Sequence, residues 1–398
     1  MKVVLQEVKD NLNNCIRPFW HSLIDHEYGG FYGRMDINLK LYKDAEKGTI
    51  LNSRILWFFS SAYALEPNEN DLECAEHAYA YMINHCVDRE YGGVFWSTNH
   101  DGTPLDTSKH TYNQAFAIYG LSAYYAVTKK KEALDLAMEL YDLIEKKCRD
   151  QYGYLEAFDR KFEPVSNEKL SENGILAEKT MNTILHVLEA YTELYKVSGS
   201  PRVADSMKWI FGTIAGKVYN PSLHRQNVFF DKMMTNLIDL QSYGHDIETT
   251  WLLDRGLEVL GDGKLIEQFR PITKDLVESV YERAYMSDGS VINEAENGVK
   301  DTTRIWWVQA ESMVGFTNAY QKNPADTKYL EAVAAIWEYC KKYLIDKRPG
   351  GEWFWDVDEN GVPSSKKDIV EPWKCPYHAG RMCIELIRRG VEPVSKGE

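Results

Sequence analysis

Nowhere does the 398-residue chain run apolar for the roughly 18 to 20 residues that span a bilayer, so no membrane-spanning helix is expected. The opening stretch, MKVVLQEVKDNLNN, sets Glu7, Lys9 and Asp10 where a secretory signal needs its apolar core, which predicts a cytoplasmic protein. Cysteine is sparse. The seven residues at positions 15, 74, 86, 148, 340, 375 and 383 form an odd, scattered set without a CxxC pair. That pattern fits reduced core thiols better than a disulfide framework or a zinc site. Positive charge is short as well: 46 Lys and Arg face 60 Asp and Glu, a net charge of −14. Polyanions are repelled overall, so nucleic acid and anionic membrane surfaces are not expected partners. A Walker loop, a GxGxxG turn after a buried strand, a GxSxG elbow and an HExxH pair are all missing. No nucleotide cradle, serine-hydrolase elbow or zincin site is therefore expected.

What is present is an ordinary globular balance with an aromatic excess: 44% hydrophobic and 27% charged residues, but 11 Trp and 25 Tyr. Tyr and Trp offer flat apolar faces with a polar edge, which suits a sugar-binding surface. Glycine-rich turns beside aromatics recur at Tyr28, Tyr91 and Tyr152, 63 and 61 residues apart, and again at Ser287 and Pro349, 62 apart. A weaker member falls near Tyr219, and six such units fit the length.

Two helical stretches lie between consecutive turns. The first of each pair is apolar most of the way round, as in Ile55-Leu-Trp-Phe-Phe, and the second carries a charged face. A final helix over about 376–389 can pair with the opening stretch. Twelve helices in six hairpins, the inner six buried on both sides, predict an all-α (α/α)6 barrel formed by residues 1–398 as a single domain. An open helical-repeat solenoid is the competing architecture.

If the inner helices point the same way, residues near their starts converge at one mouth. Those residues are Arg54; Tyr112 and Asn113; Asn182 and His186; His245 and Glu248; Trp306, Trp307 and Glu311; and Trp373, His378 and Arg381. Steps of 58, 70, 63, 62 and 71 residues link Arg54, Tyr112, Asn182, His245, Trp307 and His378, following the repeat. His77, His85, His100 and His110 lack that pattern and read as structural.

Three histidines at equivalent positions, without a metal-ligand spacing, suit general acid–base work near neutral pH. His245-x-x-Glu248 has the reverse order of the di-iron Glu-x-x-His motif, so no metal is expected. The natural reaction is proton abstraction beside a carbonyl. Arg54 would hold the developing oxyanion, Glu248 would fix the tautomer of His245 one turn away, and Trp306, Trp307 and Trp373 would stack on sugar faces.

Three segments carry a resemblance: Ser242-Tyr-Gly-His-Asp-Ile-Glu-Thr-Thr-Trp251, Trp306-Trp-Val-Gln-Ala-Glu311 and Trp373-Lys-Cys-Pro-Tyr-His-Ala-Gly-Arg-Met382. Together they resemble the signatures of the N-acylglucosamine 2-epimerase superfamily, and within it those of the cellobiose 2-epimerases, over essentially the whole chain. The resemblance departs at Ala379, where relatives commonly carry Asn. It implies an (α/α)6 barrel that converts the reducing-end glucose of β-1,4-linked disaccharides to mannose without a cofactor. Cellobiose is the expected substrate, with lactose and mannobiose beside it, and the expected assembly is a monomer or weak dimer.

The resemblance further implies that His245 and His378 are the acid/base pair at C2, with His186 assisting. Arg54, Tyr112 and Asn182 would bind the reacting sugar, Glu248 and Glu311 would assist ring opening or orient the histidines, and Trp307 and Trp373 would hold the disaccharide. Three alternatives stay open. They are a monosaccharide enzyme of the same superfamily, an inverting glycoside hydrolase using Glu248 and Glu311, and a non-catalytic sugar-binding scaffold.

Overall fold

Six helices buried along most of their length alternate along the chain with six that bury a single stripe. The computed structural model describes residues 2–171 and 173–390, and these hold twelve helices. They are α1 over 2–21, α2 Thr49–Leu65, α3 over 69–86, α4 Thr111–Thr128, α5 over 131–148 and α6 Met181–Ser198. The rest are α7 over 201–218, α8 Tyr243–Leu260, α9 Gly263–Arg283, α10 Trp306–Lys322, α11 over 328–344 and α12 Tyr377–Arg389.

Burial separates the two classes as the sequence predicts. Every residue of α2 from Thr49 to Ala62 is buried. The helical part Lys131–Leu143 of α5 buries only Ala133, Ala137, Leu140 and Tyr141, one stripe at helical spacing. Four outer helices end on a five-residue π turn, Met82–Cys86, Ile144–Cys148, Ile214–Val218 and Cys340–Leu344, and each buries its first and last residue. All seven cysteines are free thiols.

Inner helices pack in the order α2, α4, α6, α8, α10, α12, and α12 returns onto α2. Outer helices α3, α5, α7, α9 and α11 lie on their preceding inner partners, while α1 covers α12. That closure is an (α/α)6 barrel and excludes the open solenoid. Close contact between inner helices needs small residues: a Cβ on Gly120 of α4 would sit 2.6 Å from the Ser53 carbonyl oxygen of α2. Among the described residues no helix is long and apolar enough to cross a membrane.

Six connectors carry the chain from outer to inner helices. Each opens on an antiparallel turn: Ile24 bridges Phe31, Val87 bridges Val94, Arg149 bridges Tyr154, Tyr285 bridges Val291 and Ile345 bridges Trp353. The weak Tyr219 member is a true one, with Tyr219–Asn220 pairing Arg225–Gln226. Beyond these turns the connectors add short antiparallel ribbons that the helical reading does not foresee. One joins Leu240–Ser242 to Glu294–Glu296 and on to Val299–Asp301. Strands of two or three residues are too short to leave an alternating pattern in a sequence.

Buried charge fixes where three of the inner helices begin. The Asp25 carboxylate accepts the Glu27 and Tyr28 amides of its turn and a 2.6 Å bond from Lys47 Nζ, two residues before α2. Lys109 on Asp88 at 3.0 Å and Lys179 on Asp150 at 2.6 Å repeat this before α4 and α6. Both side chains of the Lys47–Asp25 pair are essentially without solvent contact. A buried pair of this kind specifies geometry more than it adds stability. Here it ties the first turn of a connector to the start of the next inner helix, where the candidate site residues sit.

Candidate active site

Positions two and six of a helix share a face one turn apart. In the inner helices those positions hold Tyr112 in α4, Asn182 and His186 in α6, Trp307 and Glu311 in α10, and His378 in α12; Arg54 and Glu248 are sixth in α2 and α8. The second residue of α8 is Gly244, where an added Cβ would lie 2.4 Å from Trp307 Cη2. Trp307 therefore lies across the start of α8, and its ring centre comes 4.8 Å from that of His245, the third residue.

These faces surround a cavity of about 410 Å³ at the mouth. Arg54, Tyr112, Asn182, His186, His245, Glu248, Trp306, Trp307, Trp373 and His378 line it, as the repeat spacing predicts. Glu311 stands behind His378 instead. Asn113 turns away, its Nδ2 donating to the Phe95 carbonyl at 2.7 Å. Arg381 lies beneath the histidines, fully buried, rather than at the mouth. Histidines read as structural are engaged elsewhere: His77 with the Gly30 carbonyl at 2.9 Å and His85 with that of Gly102 at 3.1 Å.

Each of the three candidate imidazoles is held at Nδ1, which leaves Nε2 for the cavity. His378 Nδ1 lies 2.7 Å from Glu311 Oε1, His186 Nδ1 2.8 Å from Glu189 Oε2, and His245 Nδ1 2.7 Å from Ser242 Oγ. An ionised carboxylate only accepts, so His378 and His186 carry their proton at Nδ1 and present a lone pair at Nε2. The expected orientation of His245 by Glu248 does not hold. Glu248 is drawn down to Arg381, which donates to its Oε1, while its Oε2 has no protein partner.

Arg381 is the hub of the layer below. Nη2 donates to Glu248 and, at 2.6 Å, to Glu311; Nη1 donates to Glu189 and to the Tyr377 hydroxyl. Trp251 Nε1 adds a 3.0 Å bond to Glu311, and Tyr377 donates to Glu189 at 2.5 Å. Ser242, Trp251 and Tyr377 lie in the segments that carry the resemblance but have no role in the sequence reading, and Glu189 escapes it altogether. Glu189 had a usable signal, since it stands three residues after His186 as Glu248 does after His245.

Electrostatics follow from burial. It pushes all three imidazoles down: His245 to about 3, His378 well below its ordinary value, and His186 below it against the pull of Glu189. The rings are neutral at pH 7. Burial disfavours the charge on Glu189, but Arg381, His186 and Tyr377 hold its carboxyl well below the usual range. Burial raises Glu248 and Glu311, Glu311 adds to the push on Glu248, and Arg381 opposes both. With three donors on Glu311 and one on Glu248, the proton of that pair belongs to Glu248.

Arg54 donates to the Tyr112 hydroxyl at 2.7 Å and to the Trp373 carbonyl at 3.3 Å, and its guanidinium lies over Phe116 and Tyr377. Among the described residues no carboxylate is within its bonding distance, so its charge faces the cavity unneutralised. Ligand atoms of Glu248, Glu311 and His378 lie within 4.8 Å of one another. The Arg381 guanidinium already bridges those two carboxylates and supplies the positive charge a cation would bring there.

The depressed histidines set a direction for acid stability. An unfolded histidine titrates near 6.5, so between that value and the folded one the unfolded chain binds more protons. Their contribution is fully present above pH 6.5 and is lost as pH falls through the folded values. His245→Asn is expected to melt over a flatter course than wild type between pH 6.5 and 4, measured by calorimetry across that range.

The family model for N-acylglucosamine 2-epimerase (GlcNAc 2-epimerase) matches residues 29–381. A cellobiose 2-epimerase of Ruminococcus albus is 50% identical over 390 residues, 98% of this chain and 100% of that protein. The crystal structure of a sugar epimerase from a ruminal bacterium superposes with a TM-score of 0.96 at 50% identity, over 98% of this chain and 99% of that one. The structure of cellobiose 2-epimerase from Bacillus thermoamylovorans B4167 superposes with a TM-score of 0.94 at 45% identity, over 98% and 100%. The chain belongs to the N-acylglucosamine 2-epimerase family, stands within it beside the cellobiose 2-epimerases, and is a carbohydrate epimerase.

Proposed function

We propose that the chain acts as a single domain that inverts C2 of the reducing-end glucose of cellobiose, giving 4-O-β-D-glucosyl-D-mannose, with lactose and mannobiose as further substrates. The observation that carries this reading is the pair of neutral imidazoles, His245 and His378, set against one Trp307 ring at 4.8 and 5.4 Å between centres. Two bases a sugar's width apart can serve opposite faces of one carbon.

After ring opening, one Nε2 takes the C2 proton, and the C–H electron pair passes into a cis-enediolate. Arg54, with Tyr112 beside it, stabilises the oxyanion. The C2–C3 bond turns, and the other histidine, which took the O1 proton when Glu248 protonated the ring oxygen during opening, returns that proton to the opposite face. Glu248, carrying its proton on the cavity wall, suits donation to the ring oxygen during opening, and Glu311 holds His378 in its base tautomer. Asn182 and His186 contact the reacting sugar, while Trp306, Trp307 and Trp373 hold the disaccharide. Trp373 serves the non-reacting sugar.

A hydrolase reading of Glu248 and Glu311 fits poorly. Glycosidase carboxyls flank the bond roughly 5 to 9.5 Å apart, whereas these two share one guanidinium and only Glu248 reaches the cavity. The test is incubation with cellobiose in D2O followed by proton NMR. Expected is a mannose-type reducing end with deuterium at C2; free glucose would establish hydrolysis, and unchanged substrate a binding scaffold.

A further inference from the structure

We propose that Ser242 is a positioning residue of the epimerisation, a hydroxyl through which His245 alternates between proton acceptor and proton donor at C2. The inference rests on the reading of the site given above. Ser242 ends the ribbon strand Leu240–Ser242, is buried, lines the cavity, and places Oγ 2.7 Å from His245 Nδ1. A serine directly before a helix ordinarily caps it, yet this side chain makes no cap bond to α8. Its hydroxyl is spent on the imidazole.

The choice of partner makes the histidines unequal. His378 and His186 face carboxylates, which hold the proton at Nδ1 and favour the imidazolium. A hydroxyl both donates and accepts. When His245 donates from Nδ1 to Oγ, its Nε2 lone pair takes the C2 proton: the C–H bond breaks, an N–H bond forms, and the carbon's electron pair enters the enediolate. In the reverse direction that N–H bond breaks, its proton goes to C2, and the lone pair returns to Nε2. In the free site Oγ–H can turn to Nδ1, leaving the proton on Nε2 to meet the incoming sugar.

The experiment compares wild type, Ser242→Ala and Ser242→Thr in D2O, starting separately from cellobiose and from glucosyl-mannose. Epimerisation and C2 deuterium uptake into recovered substrate are both followed, with melting curves as the folding control. Ser242→Ala is expected to lower kcat at least tenfold with KM within about twofold. The ratio of exchange to epimerisation should rise from the epimer whose proton His378 removes and not from the other, because the enediolate then returns to the face it left. Ser242→Thr, which keeps the hydroxyl, should stay within about threefold of wild type. The proposal is overturned if Ser242→Ala stays within twofold, if exchange and epimerisation fall by one factor from both epimers, or if Thr does no better than Ala. Absence of epimerisation by wild type would instead overturn the functional reading.

Discussion

His245→Ala and His378→Ala are each expected to lower kcat/KM for cellobiose at least a hundredfold while leaving the Kd, measured by titration calorimetry, within about threefold of wild type. A positioned acid or base contributes roughly 10² to 10⁴ in rate. Binding rests on other groups: the Arg54 charge, Tyr112, Asn182 and the faces of Trp307 and Trp373, all in the cavity wall. The two variants differ in what they leave behind. His378→Ala removes one of three donors from Glu311, whose oxygens keep Arg381 and Trp251. His245→Ala frees only a serine hydroxyl. Folding should therefore survive both, and the loss should lie in kcat. Retention of more than a tenth of wild-type turnover by either variant would remove that histidine from the proton path.

The barrel was legible because its cause is periodic. Turns about 62 residues apart, and an apolar helix followed by a charged-faced one, are what six hairpins around a buried ring impose on a sequence. The mouth was legible for the same reason, since Tyr112, Asn182, Trp307 and His378 hold one position in four inner helices. What stayed hidden depends on contacts between distant segments. Lys47, Lys109 and Lys179 carry no local sign of burial in the sequence, yet each is buried on the aspartate of a turn 21 to 29 residues earlier. Glu248 was matched to His245 because i,i+3 spacing reports a shared face, not a partner. The partner is decided by Arg381, 133 residues away, whose guanidinium is the stronger donor. Ser242 was hidden by its place before the helix, where a serine is ordinarily read as a cap.

Arg381→Met is expected to lower the unfolding free energy by about 3 to 5 kcal/mol, measured by urea titration at pH 7, the usual effect of removing one member of a buried charge cluster. The guanidinium is 1% exposed and contacts three carboxyls from three other helices: Glu189 of α6, Glu248 of α8 and Glu311 of α10. Without it, Glu189 and Glu311 keep negative charge in a dry interior, and the histidines they hold lose their orientation. Arg381→Lys should fall between, because one ammonium cannot span the positions that two guanidinium nitrogens reach. The sign with pH is fixed. Losing the cation raises the folded carboxyl values, so the folded variant binds protons that the unfolded chain does not, and its deficit against wild type shrinks as pH is lowered toward 5. Second-site changes separate the carboxyls. Glu189→Gln removes a charge that Arg381 neutralises and should restore part of the stability of Arg381→Met. Glu248→Gln removes a group already protonated and should restore little. Equal rescue by both would mean that the proton is not held on Glu248, and the acid role given to that residue would fall with it.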